Sequence, residues 1–222
     1  MSAWGTFPAW SVGAKGLGPL RGSDGMTGAH IAAMKVFMAV ALEVDFHTRE
    51  SDITNDRLMH LTGLSRPMLR PGIDALEGQG ILQVDSTKYR NRFRQVTDGT
   101  ERWSKIPTEV ATKAMRAMSN RGLSVLAAWK IYLKLLESRN TSYAQTLISH
   151  RKLVEAMSLP TRDVAAGIDH LVNHSLVHVR QHDVVGSAGH PVNQYNLLGQ
   201  FRSRPITISI GGLPISTTVP EM

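Results

Sequence analysis

The chain of 222 residues contains no cysteine. That excludes disulfides and thiolate metal sites, and it suits a reducing cytoplasm, the expected location. No apolar run approaches the ~20 residues needed to cross a bilayer, so no membrane partner is expected. The first residues, MSAWGTFPAWSVGAKGLGPLRGSDG, lack the charged start and apolar core of a secretory signal. There is no Gly-rich phosphate loop ending in Gly-Lys-Ser/Thr, no Gly-x-Ser-x-Gly and no His-Glu-x-x-His. Acidic residues are scattered over what read as helix exteriors. The chain is therefore not expected to be an enzyme, and no cofactor is expected.

What the chain does have is an ordinary apolar content of 42% and an excess of cations, 25 Lys and Arg against 18 Asp and Glu, for a formal charge of +7. A basic chain with enough apolar residues for a core favours polyanionic partners. Residues 1–26 are rich in Gly, Pro and Trp and read as a flexible tail in which Trp4 and Trp10 could dock on the folded body.

An internal repeat organises the rest. AMKVFMAVAL (Ala33–Leu42) lies over AWKIYLKLLE (Ala128–Glu137), ITNDRLMHLTGL (Ile53–Leu64) over ISHRKLVEAMSL (Ile148–Leu159), and PGIDALEGQGILQV (Pro71–Val84) over AGIDHLVNHSLVHV (Ala166–Val179). All three pairs keep one offset of 95 residues without a gap. Each copy reads as an apolar helix, a short helix opened by Thr54 or Ser149 as N-cap, and a third helix beginning at Ser65 or near Thr161. The third helix carries a core stripe of Leu69, Ile73 and Leu76, or Val164, Ile168 and Leu171. A hairpin follows: Ile81–Val84 with Tyr89–Val96, and Leu176–Arg180 with Val192–Leu197. The expected fold is thus mainly α with small β-hairpins (α+β), as two tandem winged helix-turn-helix domains at 27–96 and 123–198. Residues 97–122 form a connector with a short helix from about Thr108, and 199–222 a C-terminal tail.

In such a unit the third helix presents its N-terminal residues to base edges. In the first copy these are Ser65, Arg66, Met68 and Arg70, and the arginine fork suits guanine. Pro71 falls inside this helix and removes one hydrogen bond, so a kink or a late helix start is expected there. The run Lys88, Tyr89, Arg90, Asn91, Arg92, Phe93, Arg94 places Arg90, Arg92 and Arg94 on one face of a strand, toward phosphate. A solvated, charged edge strand is the alternative. The second copy offers His150, Arg151 and Lys152 at the start of its second helix, Thr161 and Arg162 on its third, and Arg180 in its hairpin. His170, His174, His178 and His182 stand four apart but outrun the helix, so no metal site is expected.

Two tandem units in a basic chain resemble the replication initiators of plasmids and some phages, over roughly residues 28–198. The resemblance implies sequence-specific binding of double-stranded DNA at repeated origin sites. A second copy of the chain and host replication proteins are further candidate partners. A transcriptional regulator on an operator, and a tandem winged-helix protein-interaction subunit, are the alternatives.

Overall fold

The computed structural model describes residues 3–23, 25–87, 89–99, 102–140, 143–157, 159–185, 191–201, 208–210 and 213–215. It is an α+β fold with seven α-helices and small antiparallel sheets among the described residues.

Two helices make the centre: α1 (Thr27–Glu43) and α5 (Leu123–Ser138). Ile31 to Ala41 are buried without interruption, as are Val125 to Leu133. A helix that is apolar on all sides has to be covered on all sides, and α1 and α5 achieve this by packing on each other and on everything around them. The two halves of the chain therefore share one continuous core.

Around that pair each half repeats one order of elements. In the first half, β2 (Glu50–Thr54), α2 (Asn55–Thr62), α3 (Arg66–Gly78), β3 (Leu82–Ser86) and β4 (Arg90–Gln95) follow α1. In the second, β6 (Gln145–Ile148), α6 (His150–Met157), α7 (Thr161–Asn173), β7 (Val177–Val185) and β8 (Pro191–Leu197) follow α5. The sheets have three strands each, ordered β2-β4-β3 and β6-β8-β7. The hairpins expected from sequence are present, but each gains a third strand from the stretch before the short helix. The expected hairpin strand Tyr89–Val96 is thereby the central strand of its sheet, and it is not an edge.

Local chemistry explains the joints. Thr54 Oγ1 accepts from Arg57 N at 3.1 Å and Ser149 Oγ from Lys152 N at 3.3 Å, as N-caps should. α2 ends at Gly63, φ 67°, where a Cβ would lie 2.9 Å from Arg116 Cα, so glycine is required twice over. α3 opens at Ser65 without a side-chain cap bond, and α7 is preceded by Pro160, so Thr161 is its first residue and not its cap. α3 runs through Pro71 as one helix with a second proline in its first turn. Pro71 and Pro67, the residue whose carbonyl loses its helical partner, are both exposed, so the helix continues without burying an unpaired group in the core. α3 crosses α1 at Gly72, where a Cβ would sit 2.8 Å from Ala32 C; α7 crosses α5 at Gly167, 2.9 Å from Ala128 N.

The described residues of the first 26, expected as a flexible tail, are packed into the body of the protein. Trp4–Pro8 form β1, which pairs antiparallel with β5 (Trp103–Pro107), Trp4 opposite Pro107 and Pro8 opposite Trp103. Phe7, Val12, Leu17 and Leu20 are core residues, and Phe7 meets the Phe37 ring edge-on at 5.8 Å. Trp10 donates to Val96 O at 3.1 Å, and Lys105 Nζ lies 3.9 Å over the Trp4 ring. The segments WGTFP and WSKIP are themselves two copies of one pattern with the same alternation of burial. The repeat thus extends over the N-terminal segment and the connector, and its two copies pair with each other. After β5 comes α4 (Thr108–Ala117). In the C-terminal segment, β9 (Ile208–Ile210) pairs with β10 (Leu213–Ile215).

One feature of the interior is unusual. Lys35 and Lys130 occupy matching positions on α1 and α5 and are almost fully buried, with no carboxylate partner among the described residues. Lys35 Nζ donates to Met115 O (2.6 Å), Met118 O (2.9 Å) and Asn120 Oδ1 (2.6 Å). Lys130 Nζ donates to Gly18 O (2.9 Å), Leu20 O (3.4 Å) and Met157 O (3.2 Å). Three ammonium protons thus meet three acceptors in each case. Three of the six, Met115 O, Met118 O and Met157 O, are carbonyls at or just past helix ends, which lack a partner inside the helix and attract a cation. Burial lowers both ammonium pKa values from 10.5 to about 8.

Candidate nucleic-acid interface

The core stripe of α3, Leu69, Ile73 and Leu76, with Gly72, is buried against α1, which turns the opposite face outward. Ser65, Arg66, Pro67, Arg70, Pro71 and Asp74 are exposed. Met68 is not among them: it is half-buried and packs on the core, because it lies one position from Leu69 on the inward side. The outward face is therefore two arginines four apart on a base of two prolines. Arg70 Nε pairs with Asp74 at 2.7 Å, an exposed pair of the kind worth under about 1 kcal/mol and easily exchanged for another anion.

The sheet places Arg90, Arg92 and Arg94 together on its outer face, while Asn91, Phe93 and Gln95 are buried beneath. Asn91 Nδ2 donates to Asn55 Oδ1 at 2.8 Å, and Gln95 Nε2 to Thr6 O at 3.1 Å, so the underside is tied down. Tyr89, just before the strand, is exposed, whereas Phe93 is fully buried. Lys88 lies outside the described residues.

The outer face is not a plain cationic strip. Directly opposite residues share a face in an antiparallel sheet, and here Glu50 and Gln83 flank Arg94 while Asp52 and Asp85 flank Arg92. Arg90 Nη1 reaches Asp52 Oδ2 at 3.1 Å and Arg94 Nε lies 3.7 Å from Glu50 Oε1. Arg92 makes no ion pair among the described residues. Three arginines thus alternate with three carboxylates, and the net field of this face is weak. The alternation in Glu50-Ser51-Asp52-Ile53-Thr54 was the available signal for this strand. It escaped because the stretch sits before the short helix, where the repeat reading expected only a link.

The second half builds the same frame with different contents. Tyr195 is buried where Phe93 is. The outer face carries Gln194, whose Nε2 donates to Gln145 Oε1 (2.8 Å) and Asn196 Oδ1 (2.9 Å), with exposed Leu147 and exposed Arg180 beside it. On α7 Thr161, Arg162, Ala165 and Asp169 are exposed, whereas Asp163 turns inward and lies 3.5 Å from the Arg162 Nε. On α6 Arg151 and Lys152 are exposed and His150 is half-buried; Arg151 pairs with Glu155 at 2.8 Å. His170 Nε2 sits 3.2 Å from Ser124 Oγ, and the side chain of His182 lies outside the described residues.

The cations expected at the interface therefore fall into three groups: the α3 face, the first sheet, and scattered positions in the second half. No protein-family model matches the chain, and no curated protein matches it in sequence.

Proposed function

We propose that the protein binds double-stranded DNA through two tandem winged-helix units, with α3 as the principal base-reading helix. The observation that carries this reading is the exposed N-terminal face of α3. Arg66 and Arg70 stand one turn apart on a helix whose other side is locked to α1, so two guanidinium forks are presented on a rigid support. A helix of this kind fits the major groove, and each fork can bind guanine O6 and N7 together. The repeated order of helix, short helix, third helix and small sheet supports a tandem unit, with β3–β4 and β7–β8 as the wings. The excess of cations over the whole chain supplies the non-specific attraction.

Within this reading the protein acts as an initiator-like factor on an asymmetric or repeated site, since α3 and α7 expose different residues. A transcriptional regulator binding an operator is the second reading, and it rests on the same interface. Selection of bound fragments from a random duplex pool at two salt concentrations tests the proposal. A recovered motif long enough for two modules, or one repeated in tandem, is the expected result, and its position near an origin or a promoter separates the two readings. Binding without any motif that vanishes at moderate salt would overturn it. The charge alternation on the first sheet sharpens the expectation: Arg92→Ala should lower the log–log salt slope by about 0.9, one phosphate contact. Arg90→Ala and Arg94→Ala should lower it less, because each of those cations is already held by a carboxylate.

A further inference from the structure

A cleft of about 1160 Å³ lies where α2, α4 and the segment after β8 meet, away from α3 and from the arginine ladder. Its shape follows from close packing at both ends. Gly63 brings the end of α2 onto the Arg116 backbone, and Gly199, φ 115°, lets the chain after β8 lie on Pro107 and Val110. Leu61, Val110 and Leu198 form apolar wall between these contacts. The face of α4 turned to the cleft carries Lys113 and Arg116, three residues apart, both exposed and neither in an ion pair among the described residues, with Glu109 one turn before Lys113. The two cations outnumber the one carboxylate of α4, Glu109, so the helix brings a net positive charge to the edge of the hollow.

We propose that this cleft docks a short acidic and apolar peptide segment of a partner protein, the carboxylates meeting Lys113 and Arg116 and the apolar side chains meeting Leu61, Val110 and Leu198. Charge complementarity fixes the sign of the occupant, and the concave apolar wall fixes its class. A duplex is a convex polyanion with no apolar side chain to fill the hollow, whereas a peptide offers both features on one strand. The site shares no residue with the proposed DNA-reading face, so it stands or falls independently of that reading.

The test is a displayed random-peptide library panned against the full-length chain, with the recovered peptides then titrated against wild type and against Lys113→Glu/Arg116→Glu. The expected peptides combine two or more Asp or Glu with Leu, Ile or Phe. Their affinity should fall tenfold or more in the reversed variant. Lys113→Gln/Arg116→Gln, a milder change on exposed positions, should give an intermediate loss, and equal far-UV circular dichroism shows that both variants fold. Affinity for duplex DNA, measured on the same preparations, should change less than threefold. Peptides without acidic residues, or equal binding by the reversed variant, would overturn the proposal. A loss confined to duplex binding would overturn it too and make α4 a phosphate contact. Wild type that binds acidic peptide but no duplex would leave the cleft assigned and remove the DNA reading.

Discussion

The two halves of the molecule share their interior and differ in their exterior. Gly72 and Gly167 sit at the same helix crossing, Lys35 and Lys130 at matching buried positions, and Phe93 and Tyr195 under the same sheet. Gly80 (φ 65°) and Ser175 (φ 54°) take the same left-handed turn out of the third helix. On the outside, the first half carries a ladder of arginine and carboxylate where the second carries glutamine, asparagine and an exposed leucine. Arg66 and Arg70 on α3 correspond to Thr161 and Ala165 on α7. Interior positions are held by close packing, where a misplaced methylene is felt, while exposed positions are nearly free of that constraint. Surfaces that diverge over one frame are suited to different work, and this is why α3 and α7 carry unequal parts in the proposed function.

The largest expected effect tests the shared interior. Gly72→Ala and Gly167→Ala each push a methyl into the backbone of the facing helix. Each should lower stability by about 1–3 kcal/mol, read from urea midpoints. A mild effect at one site alone would mean that the two crossings are not equivalent.

The buried lysines come next. Their folded-state pKa, about 8, lies below the unfolded 10.5, so the unfolded chain binds more protons between those values. Stability should therefore rise as pH goes from about 8 toward 10, by an amount on the order of 1–3 kcal/mol per lysine. The rise should end as tyrosines ionise, because burial holds the Tyr132 hydroxyl far above its usual range and unfolding releases it. Lys35→Met and Lys130→Met should each remove about half of the rise, whatever they do to stability at pH 7. An unchanged slope in either variant would show that its ammonium group does not titrate in this range.

On the outside, Arg66→Ala or Arg70→Ala should cost roughly 1–3 kcal/mol at one base position of the selected site, and Arg162→Ala should cost less. Equal, sequence-independent losses at all three would make them backbone contacts and erase the contrast between α3 and α7. The smallest effect belongs to Ser175→Gly. Because only Ser175 carries a Cβ at this left-handed turn, the change should stabilise by about 0.5–1 kcal/mol in thermal melts, while Gly80→Ala should destabilise.

Much of this architecture was legible because the repeat marks each element twice. Thr54 and Ser149 as caps, the stripe at Leu69, Ile73 and Leu76, and the outward set Arg90, Arg92 and Arg94 are all local patterns with a fixed period. The signals that escaped are of another kind. WGTFP is too short and too rich in Gly and Pro to read as a strand alone; its meaning comes from WSKIP, 99 residues on, which it pairs with. Lys35 and Lys130 sit at matching places in two apolar helices, but nothing in the period says that a lysine there is buried. Met68 reads as a surface residue because helical spacing leaves its angle close to the boundary between faces.

The sequence by itself determined the repeat, the caps, the periodic stripes and the faces on which charges stand, because these depend on spacing along a few turns of chain. Only the tertiary structure decided that the N-terminal segment belongs to the core, that the arginine ladder is interleaved with carboxylates, and that α2 and α4 enclose a cationic hollow. Those outcomes rest on contacts between segments tens of residues apart, and backbone hydrogen bonding and burial across such distances leave no periodic trace in the chain.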